Sequence, residues 1–564
     1  LSTLLVALLV TLALWVYYRS VFATFALIAS LLVGTLITFG VSYFTVGYLN
    51  ANSAFLGSIV MGNGINFGIM ILARYLEERR SAGKDHLTAL TLSLKETVLA
   101  TLTAALAAGL SYGSLMLTSF RGFSQFGVIG FTGMVACWAC AYTFLPAFLS
   151  LLDRHVDLIG KDRRTESRGL WGYGIKYLLT KHSKVILAVG ILLTLASGIG
   201  LSRIDRDILE TDLTKLRDKH SMEAGSGYFT RYVDLILKRY SSPIAVLAHN
   251  DTESAQIAEK LKQKKAEEGA DSLIDSILRV QDFVPDQQNE KIAILKSIRA
   301  LLPPKLFWQL SPEQKAQIEE FTSKENITPF TMKELPPMLL EKFREKDGSI
   351  GNLVLVEPPL NDQIRHGDPL IRFVKSIRDA VDGVAEGIPV AGRLPVSADM
   401  IEAIVKEGPL ATLVSGLSVV ILTLLLFRNV QLSVLVLGSL FLGVTWMVGA
   451  MSAFHLKINF LNFIALPITF GIGVDYAVNV FARYREERAE LDVRHAMIRA
   501  AYHTGGAVVL ASFSTIIGWG SLMIAGNQAF VSFGKLAVLG EITCVCVAVL
   551  VVPAALIVLR RSKN

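Results

Sequence analysis

Two carboxylates in this sequence stand where a carboxylate is expensive. Asp475 and Glu541 each fall inside an apolar run long enough to cross a bilayer, and an ionisable group at that depth needs a bundle interior or a cavity to receive it. Groups so placed tend to carry protons or line a path for a solute. Asp475 follows Gly471-Ile472-Gly473-Val474 and precedes Tyr476, whose hydroxyl is placed to join a relay or brace the carboxylate. At 1.5 Å per residue it lies about 12 Å along its helix from Arg483, too far for the two to pair directly. The neighbouring run 505–525 supplies Ser512, Ser514 and Thr515, hydroxyls suited to bond a carboxylate or to hold a water beside it. Glu541 is read either as a second protonatable group or as a structural acid bonded to a backbone carbonyl. Gly471 and Gly473 allow a neighbouring helix to approach closely. No nucleophile, metal-ligand set or phosphate-binding loop is evident, so neither an enzyme nor a metal or other cofactor is expected.

The elements that must position these groups are membrane helices. The chain has 564 residues, of which 52% are hydrophobic, and a mean hydropathy of +0.48, too apolar for an ordinary soluble protein. Runs of about 20 apolar residues cross a hydrocarbon core of about 30 Å. Eleven are expected, near 2–18, 21–46, 53–73, 98–118, 126–152, 184–201, 409–427, 430–452, 459–482, 505–525 and 531–559. Each must be helical, because lipid offers the backbone no partners.

Charge sets the sidedness. The segments around Arg19, 74–96, 153–184, Arg428, 483–503 and the Arg560-Arg561 tail carry 23 Lys or Arg, whereas the opposite short loops contain Arg121 and Lys457 alone. The positive-inside rule puts the rich set in the cytoplasm, and the long 202–408 segment, which the rule does not count, then falls on the periplasmic side. The net charge of +7 is therefore a topology signal, and no nucleic-acid partner is expected. Cys137, Cys140, Cys544 and Cys546 all fall in membrane runs, where they read as small packing residues.

The two ends of the chain repeat each other. Arg74-Tyr75-Leu76-Glu77-Glu78-Arg79 matches Arg483-Tyr484-Arg485-Glu486-Glu487-Arg488 at an offset of 409 residues, and the match includes Gly62 and Gly64 on Gly471 and Gly473. With a slip to 407 it continues through Gly113-Ser114-Leu115 on Gly520-Ser521-Leu522, and Pro146 on Pro553. Repeated bundles of this kind are a transporter architecture. The expected organisation is a first-half bundle of five helices at 1–152, a basic cytoplasmic connector at 153–183, a helix at 184–201, an α/β domain at 202–408, and a second five-helix bundle at 409–564. Because the repeat begins at Leu1, which corresponds to Leu410, an initial helix and a first outer domain are expected in the intact protein, twelve helices in all.

Within 202–408, the stretches Ile244–Ala248, Leu273–Phe283, Leu353–Val356 and Ile388–Ala391 read as strands. Segments 251–268, 285–302, 311–324 and 363–381 read as helices, with Asp251 and Ser311 as caps.

Gly471-Ile472-Gly473-Val474-Asp475-Tyr476, followed by Arg483-Tyr484-Arg485-Glu486-Glu487, resembles the Gly-x-Gly-x-Asp-Tyr signature of the mycobacterial-membrane-protein-large (MMPL) branch of the resistance-nodulation-division (RND) transporters. Val280-Gln281-Asp282-Phe283-Val284-Pro285 and Gly392-Arg393-Leu394-Pro395-Val396 are similar to the outer-domain pattern of hopanoid exporters. The resemblance covers essentially the whole chain. It implies a polytopic α-helical membrane protein with pseudo-twofold halves and ferredoxin-like α/β porter domains. It also implies inward proton flow coupled to efflux of a hydrophobic small molecule or lipid across the bacterial inner membrane, with Asp475 and Tyr476 in the relay. The first half departs from the pattern: Asn66-Phe67 stand where relatives often repeat Asp-Tyr, Ala105 and Ala107 correspond to Ser512 and Ser514, and Met134 to Glu541. The relay is therefore expected to lie wholly in the second half, with Asn66 placed to hydrogen-bond Asp475 across the pseudo-twofold axis. The alternatives are a proton-driven protein-translocation accessory and a non-transporting receptor of the sterol-sensing kind. The oligomeric state stays open, a homo-oligomer included.

Overall fold

The computed structural model describes residues 2–50, 56–80, 83–155, 170–202, 208–240, 242–300, 311–314, 327–360, 364 and 367–559. Residues 315–324 of the expected helix at 311–324, residues 156–169 of the basic connector and the Arg560-Arg561 tail lie outside them, while the expected cap Ser311 accepts from the Gln314 amide at 3.2 Å. The chain divides into two compact units, Leu1–Gly225 with Met400–Asn564, and Ser226–Asp399.

In chain order the first half contributes α1 (Ser2–Tyr18), α2 (Val21–Thr45), α3 (Leu56–Arg80), α4 (His86–Gly113), α5 (Arg121–Asp153), α6 (Leu170–Lys181) and α7 (Ser183–Ser202). The second unit holds α8 (Ser226–Leu237), β1 (Ile244–Leu247), α9 (Asp251–Glu268), β2 (Ser276–Arg279), α10 (Gln288–Ala300), β3 (Leu353–Glu357), α11 (Gly367–Asp382) and β4 (Val390–Ala391). The second half follows as α12 (Arg393–Phe427), α13 (Val430–Ala453), α14 (Ala465–Glu487), α15 (Val493–Gly520), α16 (Gln528–Cys546) and α17 (Val552–Leu559). A π turn at Val547–Val551 joins the last two.

Among the described residues, 10 helical stretches are long and apolar enough to cross a membrane. The eleventh expected segment is α1, a helix of 17 residues that falls short of that length. The hydropathy reading started a span at 409, yet α12 begins at Arg393 and carries Pro409 inside it. Hydropathy registers where the helix becomes apolar and is silent about its polar first turns.

The repeat is visible in backbone detail. Arg19 and Arg428 both take a left-handed conformation, φ 50° and 49°, between successive helices, and Ser20 and Asn429 cap the helices that follow. A Cβ on Gly64 would lie 2.6 Å from the sulfur of Cys137, and one on Gly473 would lie 2.7 Å from that of Cys544. The cysteines thus fill matching glycine notches in the two halves. The halves also pack across each other, α14 against α4 and α3 against α15. A Cβ on Gly471 would meet the Ala107 carbonyl oxygen at 2.6 Å, and one on Gly62 the Gly518 Cα at 3.3 Å, so these contacts need backbones without side chains between them.

The second unit is a four-stranded antiparallel sheet of order β2-β3-β1-β4, the split β-α-β-β-α-β arrangement that the resemblance implied. β2 is shorter than the Leu273–Phe283 stretch, because Val280–Phe283 turns into a 3-10 helix. There Gln281 donates to the Gly351 carbonyl at 2.9 Å and Asp282 accepts from the Arg279 amide at 2.8 Å, so the polar residues of this motif brace the end of a strand. The cap of α9 is Asn250, whose side chain accepts from the Glu253 amide, and not Asp251, which is the first helical residue.

Candidate functional site

Asp475 lies on α14 and Glu541 on α16, both buried among apolar side chains. One turn on from Asp475, Asn479 presents its amide to the same helix face and donates to the Asp475 carboxylate at 2.6 Å. Tyr476, 1% exposed, aims its hydroxyl away from that carboxylate and donates to the Glu541 carboxylate. Adjacent residues on α14 therefore address different partners: Asp475 reaches toward the first half, and Tyr476 toward α16. Trp519 and Tyr112 stand as buried neighbours of Glu541. The acid-tyrosine pair is thus held by three elements at once, and no cation neutralises either carboxylate within ion-pairing distance among the described residues.

The first-half counterpart faces the site. Asn66 of α3 lies near the Asp475 carboxylate, and its amide donates to Thr515 at 3.3 Å. Ser514 donates to the Asn66 carbonyl oxygen at 3.3 Å and to the Ala511 carbonyl at 2.7 Å. Thr515 reaches the Gly62 carbonyl at 3.2 Å. Ser514 and Thr515 therefore bond α3 and their own helix, and the expectation that they bond the carboxylate is corrected: their hydroxyls satisfy backbone carbonyls first, as buried Ser and Thr in helices do. Ser512 lies beside the Tyr476 hydroxyl. Phe67 is buried.

Sequence reading missed Asn479, although a polar residue four positions after Asp475 in an apolar run carries the same signal as Asp475 itself. It also passed over the charged layer at the Arg-rich ends of α3 and α14. Arg74 pairs with Glu486 at 2.5 Å and Arg483 with Glu77 at 3.0 Å. A shift of 409 residues converts one pair into the other, so the halves exchange arginines across the pseudo-twofold axis. His503 of α15 adds its Nδ1 to Glu77 at 2.9 Å, and Arg499 pairs with Glu487 at 3.1 Å.

At the other end of the same helices a pocket of about 530 Å³ opens between α12, α13 and α14. Its walls include Pro409, Leu413, Gly416, Phe441, Phe463 and Phe470. The volume is that of a site for a small organic molecule, and the lining is almost wholly apolar. The second unit holds a cavity of about 600 Å³ in which Glu268, Asp271 and Arg372 mix with Leu273, Ile274 and Phe373, so it is not an apolar tunnel.

A family model described as the MMPL family matches residues 1–176 and 255–563. The hopanoid transporter HpnN of Rhodopseudomonas palustris is 25% identical over 97% of this chain and 65% of its own length. HpnN of Burkholderia multivorans is 23% identical over 98% of this chain and 66% of its own length. An apo-petrobactin exporter of Bacillus anthracis is 24% identical over 40% of this chain. The chain thus spans about two thirds of the length of the hopanoid transporters it matches. Among solved structures, SecDF, a translocon-associated membrane protein from Thermus thermophilus, matches all of this chain and 62% of its own with a TM-score of 0.55 and 15% identity, a likeness of fold.

Proposed function

This chain belongs to the MMPL family, and we propose that it is the membrane part of a proton-driven exporter of a hydrophobic or lipid-like molecule, a hopanoid or one of similar character, in a bacterial inner membrane. The observation that carries the reading is the pair of buried, membrane-embedded carboxylates: Asp475, held by Asn479, and Glu541, held by Tyr476 next to Asp475 in the chain, with no cation in ion-pairing distance of either among the described residues. A non-transporting receptor has no need of such a pair, whose burial is costly. The apolar pocket between α12, α13 and α14 fits the substrate class, since it offers area for hydrocarbon and almost no polar contact.

In this reading Asp475 accepts a proton arriving from the Glu541–Tyr476 side, loses its charge, and so loosens its hold on Asn479. Release on the opposite side restores the anion and its hydrogen bonds. Each inward proton contributes about 2.3 kcal/mol per 100 mV of membrane potential. The Arg-rich ends of α3 and α14 face the cytoplasm by the positive-inside rule, which puts the 202–408 domain in the periplasm.

The test is proton uptake and lipid efflux by the full-length protein in proteoliposomes under an imposed pH gradient. Asp475→Asn is expected to abolish both at unchanged expression. Persistence of both in that variant removes Asp475 as the coupling group.

A further inference from the structure

Between α3, α4, α14 and α15, on the Arg-rich side of Asp475, lies a small cavity of about 40 Å³. A water needs roughly 10–15 Å³ of such space, so two or three fit. The lining residues are the same positions of the two halves taken twice. Arg74 answers Arg483, Glu77 answers Glu486, and Thr97 answers Thr504, each pair related by the repeat offset of 409 or 407. The cavity therefore sits on the pseudo-twofold axis. The symmetry breaks at two places: Met70 is answered by Asn479, and Glu96 by His503.

Of the two departures, one touches the relay and the other holds a charged group of the cavity wall. Asn479 donates to the Asp475 carboxylate at 2.6 Å and lines the cavity. His503 of α15 also lines the cavity and holds Glu77 at 2.9 Å. We propose that this cavity is the inner half of the proton path and that His503, steadied by Glu77, is the group through which the proton leaves.

The inference rests on the proton-driven reading above. The Asp475 carboxyl gives its proton to a water beside Asn479 and becomes the anion. That proton reaches the His503 imidazole, the Glu77 carboxylate stabilises the cation, and His503 then loses the proton to the aqueous side and is neutral again. Imidazole is suited to the step because its charge changes near neutral pH. Arginine is not, since a guanidinium stays charged, and the exchanged Arg74–Glu486 and Arg483–Glu77 pairs hold the cavity walls together instead. The charged groups facing His503 are Glu77 and Arg74 from α3, Glu96 from α4, and Arg483, Glu486 and Glu487 from α14. From α6, Lys176 lies over Tyr502, whose ring is edge-on to His503, and α1 brings Tyr17 to the neighbourhood of Glu77.

The experiment measures proton entry into proteoliposomes of the full-length protein for wild type, Asp475→Asn, His503→Ala and His503→Gln. His503→Ala is expected to slow entry roughly a hundredfold and to recover when imidazole is enclosed in the lumen. His503→Gln keeps a hydrogen bond to Glu77, so it is expected to match wild type in thermal unfolding and to be as slow as His503→Ala. Wild-type rates in His503→Gln, or a loss in His503→Ala that imidazole leaves unrelieved, overturn the assignment and make His503 a brace for Glu77. Fast entry in both His503 variants with none in Asp475→Asn overturns the exit and leaves the relay standing. Fast entry in Asp475→Asn removes the relay itself.

Discussion

Tyr476 and Glu541 act as one unit if the relay is as described, and a unit is broken equally by the loss of either part. Tyr476→Phe deletes the donor and leaves the Glu541 carboxylate buried without it, at a cost of about 1–3 kcal/mol. Transport is expected to fall about tenfold or more for Tyr476→Phe and for Glu541→Gln, and the double variant to be no slower than the slower single. Additive losses in transport assays argue that the two side chains serve separate steps. Asn66 offers a second check, because it faces Asp475 from the other half. Moving the carboxylate across the axis, Asn66→Asp with Asp475→Asn, is expected to restore measurable proton uptake to the inactive single variant. Asp475, Tyr476 and Glu541 were all legible in the sequence, because charge and hydroxyl inside an apolar run announce themselves. The partner of Tyr476 was not, since the spacing of 65 residues to Glu541 says nothing about contact until two helices pack.

At the scale of helices, what matters is where backbones touch. Gly471 lets α14 meet α4 so closely that a Cβ there would lie 2.7 Å from the Ala108 Cα. Gly471→Ala is expected to lower stability in detergent by about 1–3 kcal/mol, the usual cost of overpacking, read as an earlier thermal unfolding. Gly438→Ala on α13 meets nothing within 4 Å and serves as the control, with unfolding close to wild type. Similar shifts in both variants indicate that helix propensity, and not the α14–α4 contact, sets the effect. The glycines themselves were readable as close-approach points. Their partners were not: Gly471 and Gly62 contact the other half, whereas Gly473 and Gly64 receive a cysteine from their own half. Glycine marks a missing side chain, and which neighbour uses the space depends on how the helices rotate.

The whole bundle is a symmetric scaffold made to work asymmetrically. Its exchanged arginine pairs and twin cysteine notches are duplicated, yet the titratable relay and the apolar pocket belong to the second half. If the pocket admits substrate, filling it separates cargo from coupling. Gly416→Leu, whose side chain would grow toward Phe470, is expected to reduce lipid efflux about tenfold, as loss of roughly 1.4 kcal/mol of binding does, while the protein still folds and inserts. Unchanged efflux in that variant places the cargo elsewhere. Composition, hydropathy and the repeat by themselves determined the membrane bundle, its duplication and which half holds the acids, because lipid imposes apolarity and helicity on every span and duplication leaves its spacing in the chain. The tertiary structure alone decided that Ser514 and Thr515 serve α3 rather than the carboxylate, that Tyr476 answers Glu541, and that Asn479 and His503 break the symmetry of a shared cavity. Those facts depend on helices hundreds of residues apart being brought face to face, and local sequence carries no record of the angle at which they meet.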